Sequence, residues 1–134
     1  MSDATVPGTV GHGIDLIPIE RIQDMLGRHE EHFIERCFTV AEREWAEAGG
    51  RQRAQRYAGR FAAKEAAAKA LGTGIAEGIR WTDIEVAPDE RGMPCIVLHA
   101  AAADRAAALG ARRLHCSITH AGGLAMASVI AAGA

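Results

Sequence analysis

The sequence is poor in the features that mark several large protein classes. It has two Trp, one Tyr and three Phe among 134 residues, and no apolar run is long enough to cross a bilayer. The N-terminal segment has neither a basic start nor an apolar stretch, so no signal peptide is expected. A net charge of −2 is not the basic excess of a general nucleic-acid binder. A soluble, cytoplasmic protein that binds neither membranes nor nucleic acid is therefore predicted.

Cysteine and glycine patterns exclude further classes. Cys37, Cys95 and Cys116 form no CxxC pair and no metal-ligand spacing, which argues against a zinc site and indicates reduced thiols. The Gly72–Thr73–Gly74 turn lacks the correctly spaced third glycine of the GxGxxG pattern, and no P-loop pattern is present. Neither a Rossmann site nor a P-loop NTPase is implied.

Helical and strand patterns occur in separate parts of the chain, which predicts an α+β fold. Strands are predicted at 10–17, 82–87, 95–99, 114–119 and 124–130, and helices at 18–28, 30–37, 39–48, 51–71 and 100–109. The Thr39 and Glu42 pair is a capping-box pattern. A long helix packed on a small antiparallel sheet makes residues 1–134 one domain, after a short polar lead at 1–9. Alanine-rich cores bury modest area, which makes an oligomer reasonable.

Two acidic residues stand where the pattern predicts burial. Asp15 interrupts the first strand, and Glu65 lies on the apolar side of the long helix. Taken singly, Asp15 could cap the helix at Pro18, and Glu65 could pair with Lys69 on the surface. Taken together, they supply two hard oxygen ligands on rigid elements, as Mg²⁺ requires. We therefore predict a Mg²⁺ site at Asp15 and Glu65.

Basic residues follow one side of the long helix at spacings of three, four and four: Arg53, Arg56, Arg60 and Lys64. Such a stripe is usually a solvated face, but beside a metal site it becomes a candidate phosphate clamp. Lys69 and the backbone amides of the Gly72–Thr73–Gly74 turn are further candidates. His120, at the mouth of a predicted hairpin, is either merely solvated, accepts a proton from an attacking hydroxyl or contacts a phosphate.

Three blocks of the sequence resemble the AcpS-type phosphopantetheinyl transferases, in that family's order. They are Gly11–Asp15 with Ile19–Ile22, Arg60–Ala66 continuing through Lys69–Gly74, and Ser117–His120. The resemblance implies the α+β phosphopantetheinyl transferase fold, assembled as a trimer with active sites between neighbouring subunits. His12 departs from the family pattern, which usually has a small or aliphatic residue there.

The resemblance also implies an activity. The 4'-phosphopantetheine arm of coenzyme A passes to a serine of apo acyl carrier protein, for fatty-acid or polyketide synthesis. Mg²⁺ held by Asp15 and Glu65 neutralises the pyrophosphate, Lys64 stabilises the transition state, and 3',5'-ADP leaves. The proton acceptor is left open between Glu65, a metal-bound water and His120.

Residue roles and two rival functions complete the expectations. The resemblance implies these positions: Arg60, Lys64 and Lys69 near the phosphates, Gly72, Thr73 and Gly74 beside the nucleotide, His120 near the coenzyme, and Arg21 against the acidic helix of the carrier protein. One rival is a Mg²⁺-dependent hydrolase of coenzyme A or a related nucleotide, using the same two acids. The other is a catalytically silent module that binds carrier proteins through basic residues such as Arg21.

Overall fold

Helices and strands are grouped along the chain as the sequence pattern predicts. The structure is a computed structural model that describes residues 8–133. Its elements are β1 (Thr9–Pro18), α1 (Ile19–Arg28), α2 (Glu30–Cys37), α3 (Val40–Glu47), α4 (Arg53–Ala70), β2 (Ile84–Pro88), β3 (Pro94–Leu98), α5 (Ala100–Leu109), β4 (Arg113–Ala121) and β5 (Leu124–Ala132). The α+β class is confirmed, and most of the polar lead at 1–9 lies outside the described residues.

The boundaries differ from prediction at two helix starts. Pro18 was expected in the first turn of α1, but its backbone is extended, with ψ at 130°, and it ends β1 opposite Leu124. The helix therefore begins at Ile19. Residues Gly50–Gln52 form a short 3-10 turn, so α4 starts two residues later than expected. The capping box of α3 is confirmed, because Glu42 N donates to Thr39 Oγ1 and Thr39 N donates to Glu42 Oε1.

Two antiparallel sheets pack around α4. The larger has the strand order β1–β5–β4, and the smaller pairs β2 with β3. In the larger sheet, Asp15 of β1 is opposite Ala127 of β5, and His120 of β4 is opposite Ala125. Asp15 and His120 therefore lie on opposite edge strands, with β5 between them.

A glycine contact holds β1 directly against the backbone of α4. A Cβ atom added at Gly13 would lie 1.9 Å from the carbonyl oxygen of Ala66 and 2.8 Å from the amide nitrogen of Ala70. A Cβ atom at Gly11 would meet the carbonyl oxygen of Ala70 at 2.0 Å. Only glycine permits this approach, because any side chain would overlap the helix backbone. The strand thereby carries Asp15 onto the part of α4 that holds Glu65.

Alanine fills most of the space between α4 and the larger sheet. The fully buried Ala62, Ala66 and Ala70 positions of α4 meet small residues of β1 and β5. The large buried side chains lie mainly on the other side of α4, where Phe38 and Tyr57 pack with ring centroids 4.8 Å apart. Within residues 8–133, no helix has the length and apolar character that crossing a membrane requires.

The outer side of the larger sheet exposes several large apolar residues on β1 and β5. Ile14 and Leu16 on β1 are 50% and 57% exposed, and Ile130 on β5 is 41% exposed. These residues alternate with buried ones such as Ile17 and Val129, so they share the side that faces away from α4. Among the described residues, no element covers this side, which we call the outer sheet face.

Candidate active site

Asp15 and Glu65 come together between β1 and α4. The Asp15 side chain is 17% exposed, and Glu65 is half-buried. Burial raises the pKa of the Glu65 carboxyl, and the negative charge of Asp15 raises it further. The charges of Lys69 and Arg21 act in the opposite direction. Two carboxylates thus lie close enough to repel each other in a partly dehydrated place, which favours binding of a cation.

Lys69 contacts the acidic pair through Asp15. Its ammonium donates to the carbonyl oxygen of Ile14 at 2.9 Å and to Asp15 Oδ1 at 3.3 Å, while half of the side chain stays exposed. The alternative of a surface ion pair between Lys69 and Glu65 therefore does not describe the structure. Neither does Asp15 cap α1, since the N-cap residue is Pro18 and no side chain caps that helix end.

The donor set fits Mg²⁺ better than a softer metal. Both acidic ligands offer hard carboxylate oxygens, and no group of three His, Cys, Asp or Glu side chains with metal-binding geometry occurs among residues 8–133. An ion at Asp15 and Glu65 would take its other ligands from water or from substrate oxygens. That is the usual condition of Mg²⁺ in sites that act on phosphates.

The basic stripe of α4 faces α3 and not the acidic pair. The guanidinium groups of Arg56 and Arg60 lie over the ring of Trp45 at 4.5 and 3.7 Å, and Arg53 is ion-paired with acidic residues of α2 and α3. The prediction of a phosphate clamp along the whole stripe does not fit this packing. Arg60 has one unused hydrogen-bond donor, because its buried Nε atom has no partner among the described residues. Only 7% of the residue is exposed.

Lys64 is the clearest departure from the predicted site. Its side chain is 0% exposed, and its Nζ atom lies 2.7 Å from Glu42 Oε1. The same ammonium donates to the carbonyl oxygens of Trp81 at 3.0 Å and Ile84 at 2.5 Å. Since an ammonium has three hydrogens, all of its donors are used. The predicted roles of Lys64 at the phosphates and in the transition state therefore disagree with its position.

The turn after α4 also differs from expectation. The amides of Gly72, Thr73 and Gly74 donate to carbonyl oxygens of the last turn of α4, at 3.0, 3.3 and 3.1 Å. They close the helix end and are not free to bind phosphate, contrary to the prediction.

His120 is not part of the acidic pair in one chain. It lies near the end of β4, where its Nδ1 atom is 3.4 Å from Nε2 of Gln55 on the first half of α4. The intervening strand β5 keeps β4 roughly 10 Å from β1. Gln55 and His120 form a second polar group, which we call the β4-side group.

Two residues of the site region were missed by sequence reasoning. Glu42 was recognised only as a helix cap, although it is also the buried partner of Lys64. No role was predicted for Trp45, although the guanidinium groups of Arg56 and Arg60 lie over its ring. The capping box was a signal for the position of Glu42, but nothing in the sequence spacing indicated which distant side chain it would meet.

The sequence and the fold match a known family. Residues 11–122 match the model of the 4'-phosphopantetheinyl transferase superfamily. The chain belongs to this superfamily. Among sequence relatives, the holo-(acyl-carrier-protein) synthase of Solibacter usitatus is 46% identical over 121 residues, covering 90% of this chain and 96% of the relative. That of Anaeromyxobacter dehalogenans is 48% identical over 129 residues, covering 92% and 96%.

Solved phosphopantetheinyl transferases share the fold. The Neisseria meningitidis holo-(acyl-carrier-protein) synthase superposes with a TM-score of 0.84 at 29% identity, covering 92% of this chain and 98% of that one. The Bacillus anthracis synthase, solved in complex with CoA (3',5'-ADP), has a TM-score of 0.78 at 38% identity, covering 95% and 99%. The long α4 helix and the small antiparallel sheets of this superfamily member are thus those of synthases with known structures.

Proposed function

We propose that phosphopantetheine transfer in this chain takes place at Asp15, Glu65 and Lys69. The chain is a transferase that moves the 4'-phosphopantetheine group of coenzyme A to a serine of apo acyl carrier protein. The observation that supports this location is the convergence of the two carboxylates with Lys69 where β1 crosses α4.

Asp15 and Glu65 would hold Mg²⁺ together with the pyrophosphate of coenzyme A. When bound, the ion supplies neutralisation of charge on the phosphate oxygens. The chain contributes the two rigidly placed carboxylates, and Lys69 contributes a half-exposed ammonium that can reach a phosphate oxygen. We assign to Lys69 the stabilisation of the transition state that the resemblance implied for Lys64.

The chemical step is an in-line displacement. The serine oxygen of the carrier protein bonds to the β-phosphorus, the bond from that phosphorus to the bridging oxygen breaks, and 3',5'-ADP leaves with the electron pair. The serine proton passes to a base. Glu65 is the candidate base that lies beside Asp15 in one chain.

The finer proposal for the assembly is a trimer with shared active sites. The outer sheet face exposes several large apolar residues, which is typical of a surface that another subunit covers. His120 of the β4-side group lies away from Asp15, as does Arg60, which packs on Trp45 and whose Nε has no partner among the described residues. We assign these two residues to the coenzyme site of the neighbouring subunit.

Placing a charge on the outer sheet face is expected to dissociate the trimer. Ile130→Glu should give a monomer in sedimentation velocity and lower transfer activity by about 100-fold, because each site loses the residues of its neighbour. Val97→Glu is the matched control, since Val97 is 39% exposed on β3, outside that face. A fully active Ile130→Glu monomer would contradict the shared site.

Mixing two inactive variants tests the sharing directly. Trimers of Glu65→Gln and trimers of His120→Ala are each expected to be inactive. After mixed refolding at equal amounts, about a quarter of the sites should combine an intact acidic pair with an intact His120 of the neighbour. Activity should therefore return to about a quarter of the wild-type value in a mass-resolved transfer assay. No recovery from demonstrably mixed trimers would place both residues in one subunit's site.

Arg21 is the proposed contact for the carrier protein. Arg21 is exposed on α1, and it lies close enough to Glu65 for its positive charge to lower the pKa of that carboxyl. A carrier protein bound at Arg21 would therefore have its serine near the acidic pair. Arg21→Ala is expected to raise KM for the carrier about tenfold and to leave KM for coenzyme A nearly unchanged. Arg91→Ala, in the exposed turn between β2 and β3, is the control. An unchanged KM for the carrier would remove Arg21 from the interface.

The proposal also includes the domain extent and the cellular location of the enzyme. One domain over residues 1–134 would act in the cytoplasm and supply holo-carrier protein to fatty-acid or polyketide synthesis. The three cysteines are free, which agrees with a reducing compartment.

The intact mass of a carrier protein tests the function. After incubation of apo acyl carrier protein with the enzyme, coenzyme A and Mg²⁺, its mass should increase by about 340 Da, the mass of one phosphopantetheine group. EDTA should abolish the increase. Consumption of coenzyme A without an increase would favour the hydrolase, and tight carrier binding without turnover would favour the silent binding module.

A further inference from the structure

The Glu42–Lys64 ion pair is fully enclosed and fully satisfied. Both side chains are 0% exposed. Beyond the three bonds of the Lys64 ammonium, Glu42 accepts a hydrogen bond from Thr39 N through Oε1 and from Val86 N through Oε2, each at 2.8 Å. Because both side chains are fully enclosed, neither can reach a ligand, so the pair acts through the segments that it joins.

The pair joins four segments at one point. Lys64 lies on α4, Glu42 on α3, and their backbone partners lie at the start of α3, in the Trp81–Asp83 turn and on β2. On its opposite side, α4 packs on β1 through glycine and alanine, whose small side chains make the contact surface nearly flat. Such a surface resists sliding and rotation of a helix weakly, because there are no ridges to lock into grooves. The directional bonds of Lys64 add to that resistance at the residue next to Glu65.

Lys64 directly precedes Glu65 in α4. One helical residue corresponds to about 1.5 Å along the axis and about 100° around it. A small shift of α4 at Lys64 would therefore move the Glu65 carboxylate relative to Asp15. We propose that the Glu42–Lys64 pair is a positioning device that sets Glu65 against Asp15 for metal binding and transfer. This proposal rests on the assignment of Asp15 and Glu65 to the active site.

A charge-free version of the pair separates positioning from stability. Replacing both members of a buried ion pair often leaves stability unchanged, whereas removing one member leaves an uncompensated charge. Glu42→Gln/Lys64→Met removes both charges and nearly keeps the side-chain sizes. The matched control is Tyr57→Phe, which removes the 2.6 Å hydrogen bond from Tyr57 Oη to Glu47 Oε2 between the same two helices.

The measurements are Mn²⁺ binding by electron paramagnetic resonance in the presence of coenzyme A, steady-state kinetics and the unfolding temperature. For the double variant we expect cooperative unfolding, KM for coenzyme A within about threefold, a Mn²⁺ affinity about tenfold lower and a kcat about 100-fold lower, the usual penalty for misplaced catalytic groups. Tyr57→Phe should lower the unfolding temperature and leave kcat and Mn²⁺ affinity unchanged.

Three outcomes would overturn the proposal. Wild-type kcat and Mn²⁺ affinity in the double variant would make the pair merely part of the fold. A tenfold rise in KM for coenzyme A with unchanged kcat would mean that Lys64 contacts the coenzyme. If the double variant does not fold, Glu42→Asp, which keeps both charges but shortens the carboxylate side chain by one methylene, undergoes the same measurements, and wild-type values there reject the proposal. Failure of the site assignment itself is recognised separately, because Asp15→Asn would then keep Mn²⁺ affinity and activity.

Discussion

Glu65→Gln is expected to lower kcat for phosphopantetheine transfer by about three orders of magnitude while the protein stays folded. Glutamine keeps the size of the side chain but removes the charge that, with Asp15, would hold Mg²⁺ and receive the serine proton. The loss should persist at saturating Mg²⁺ and coenzyme A in the carrier mass assay. Glu90→Gln, in the exposed turn between β2 and β3, should have full activity.

The same substitution is expected to stabilise the metal-free protein. Burial, and then the charge of Asp15, raise the pKa of Glu65 in the folded state. Folded protein therefore binds more protons than unfolded protein once the pH exceeds the ordinary glutamate pKa, and stability falls as the pH rises through the raised value. In EDTA at pH 7.5, Glu65→Gln should raise Tm by roughly 2 °C, and at pH 4 the two proteins should match.

Either half of this result can fail by itself. Activity retained by Glu65→Gln at saturating Mg²⁺ would remove Glu65 from the metal site and from proton transfer. A lowered Tm in EDTA would instead mean that the Glu65 carboxylate stabilises the fold, and that the repulsion between it and Asp15 is small. Loss of activity together with a raised Tm is the pattern expected of a residue placed for chemistry at a cost to stability.

Gly13→Ala is expected to destabilise the protein by about 3 kcal/mol or more, enough to unfold much of it at 37 °C. The added methyl group would overlap the Ala66 carbonyl oxygen at 1.9 Å and the Ala70 amide nitrogen at 2.8 Å. Both are backbone atoms, so no side-chain rotation relieves the overlap, and β1 must move away from α4. Urea unfolding of purified protein measures the loss, and any folded fraction should transfer poorly because Asp15 moves with the strand.

Gly27→Ala is the control for this effect. Gly27 lies in α1, and a Cβ atom there would have no neighbour within 4 Å. Alanine in a helix interior is favoured over glycine by about 1 kcal/mol, so this variant should be slightly more stable than the wild type. If Gly13→Ala were tolerated as well as Gly27→Ala, β1 could not lie directly on the helix backbone.

Local patterns predicted the elements of the fold well. The strand at β1, the capping box at Thr39 and the end of α5 at Gly110 all depend on residues close in sequence, and each is present. The main boundary error, at Pro18, arose because proline is acceptable both in the first turn of a helix and at the end of a strand. Pairing with Leu124, more than 100 residues away, selected the extended form.

The acidic pair was predictable because Asp15 and Glu65 are conspicuous where they stand. A carboxylate within an apolar strand or on the apolar side of a helix needs a compensating partner. That requirement can be recognised from the sequence alone. The sequence also placed Lys69 near the pair. What it left open was whether Lys69 would face Asp15 or Glu65.

The basic stripe shows where local reasoning stops. Arg53, Arg56, Arg60 and Lys64 share one side of α4 by helical periodicity alone, and the sequence determines that much. Whether this side meets solvent, a phosphate or another helix depends on how α3 folds back, which places Trp45 beneath the arginines and Glu42 beside Lys64. The local sequence does not show whether the ammonium group of a lysine will be buried or exposed. Only the partners brought by the tertiary structure distinguish Lys64 from Lys69, since burial and pairing are properties of the packed chain.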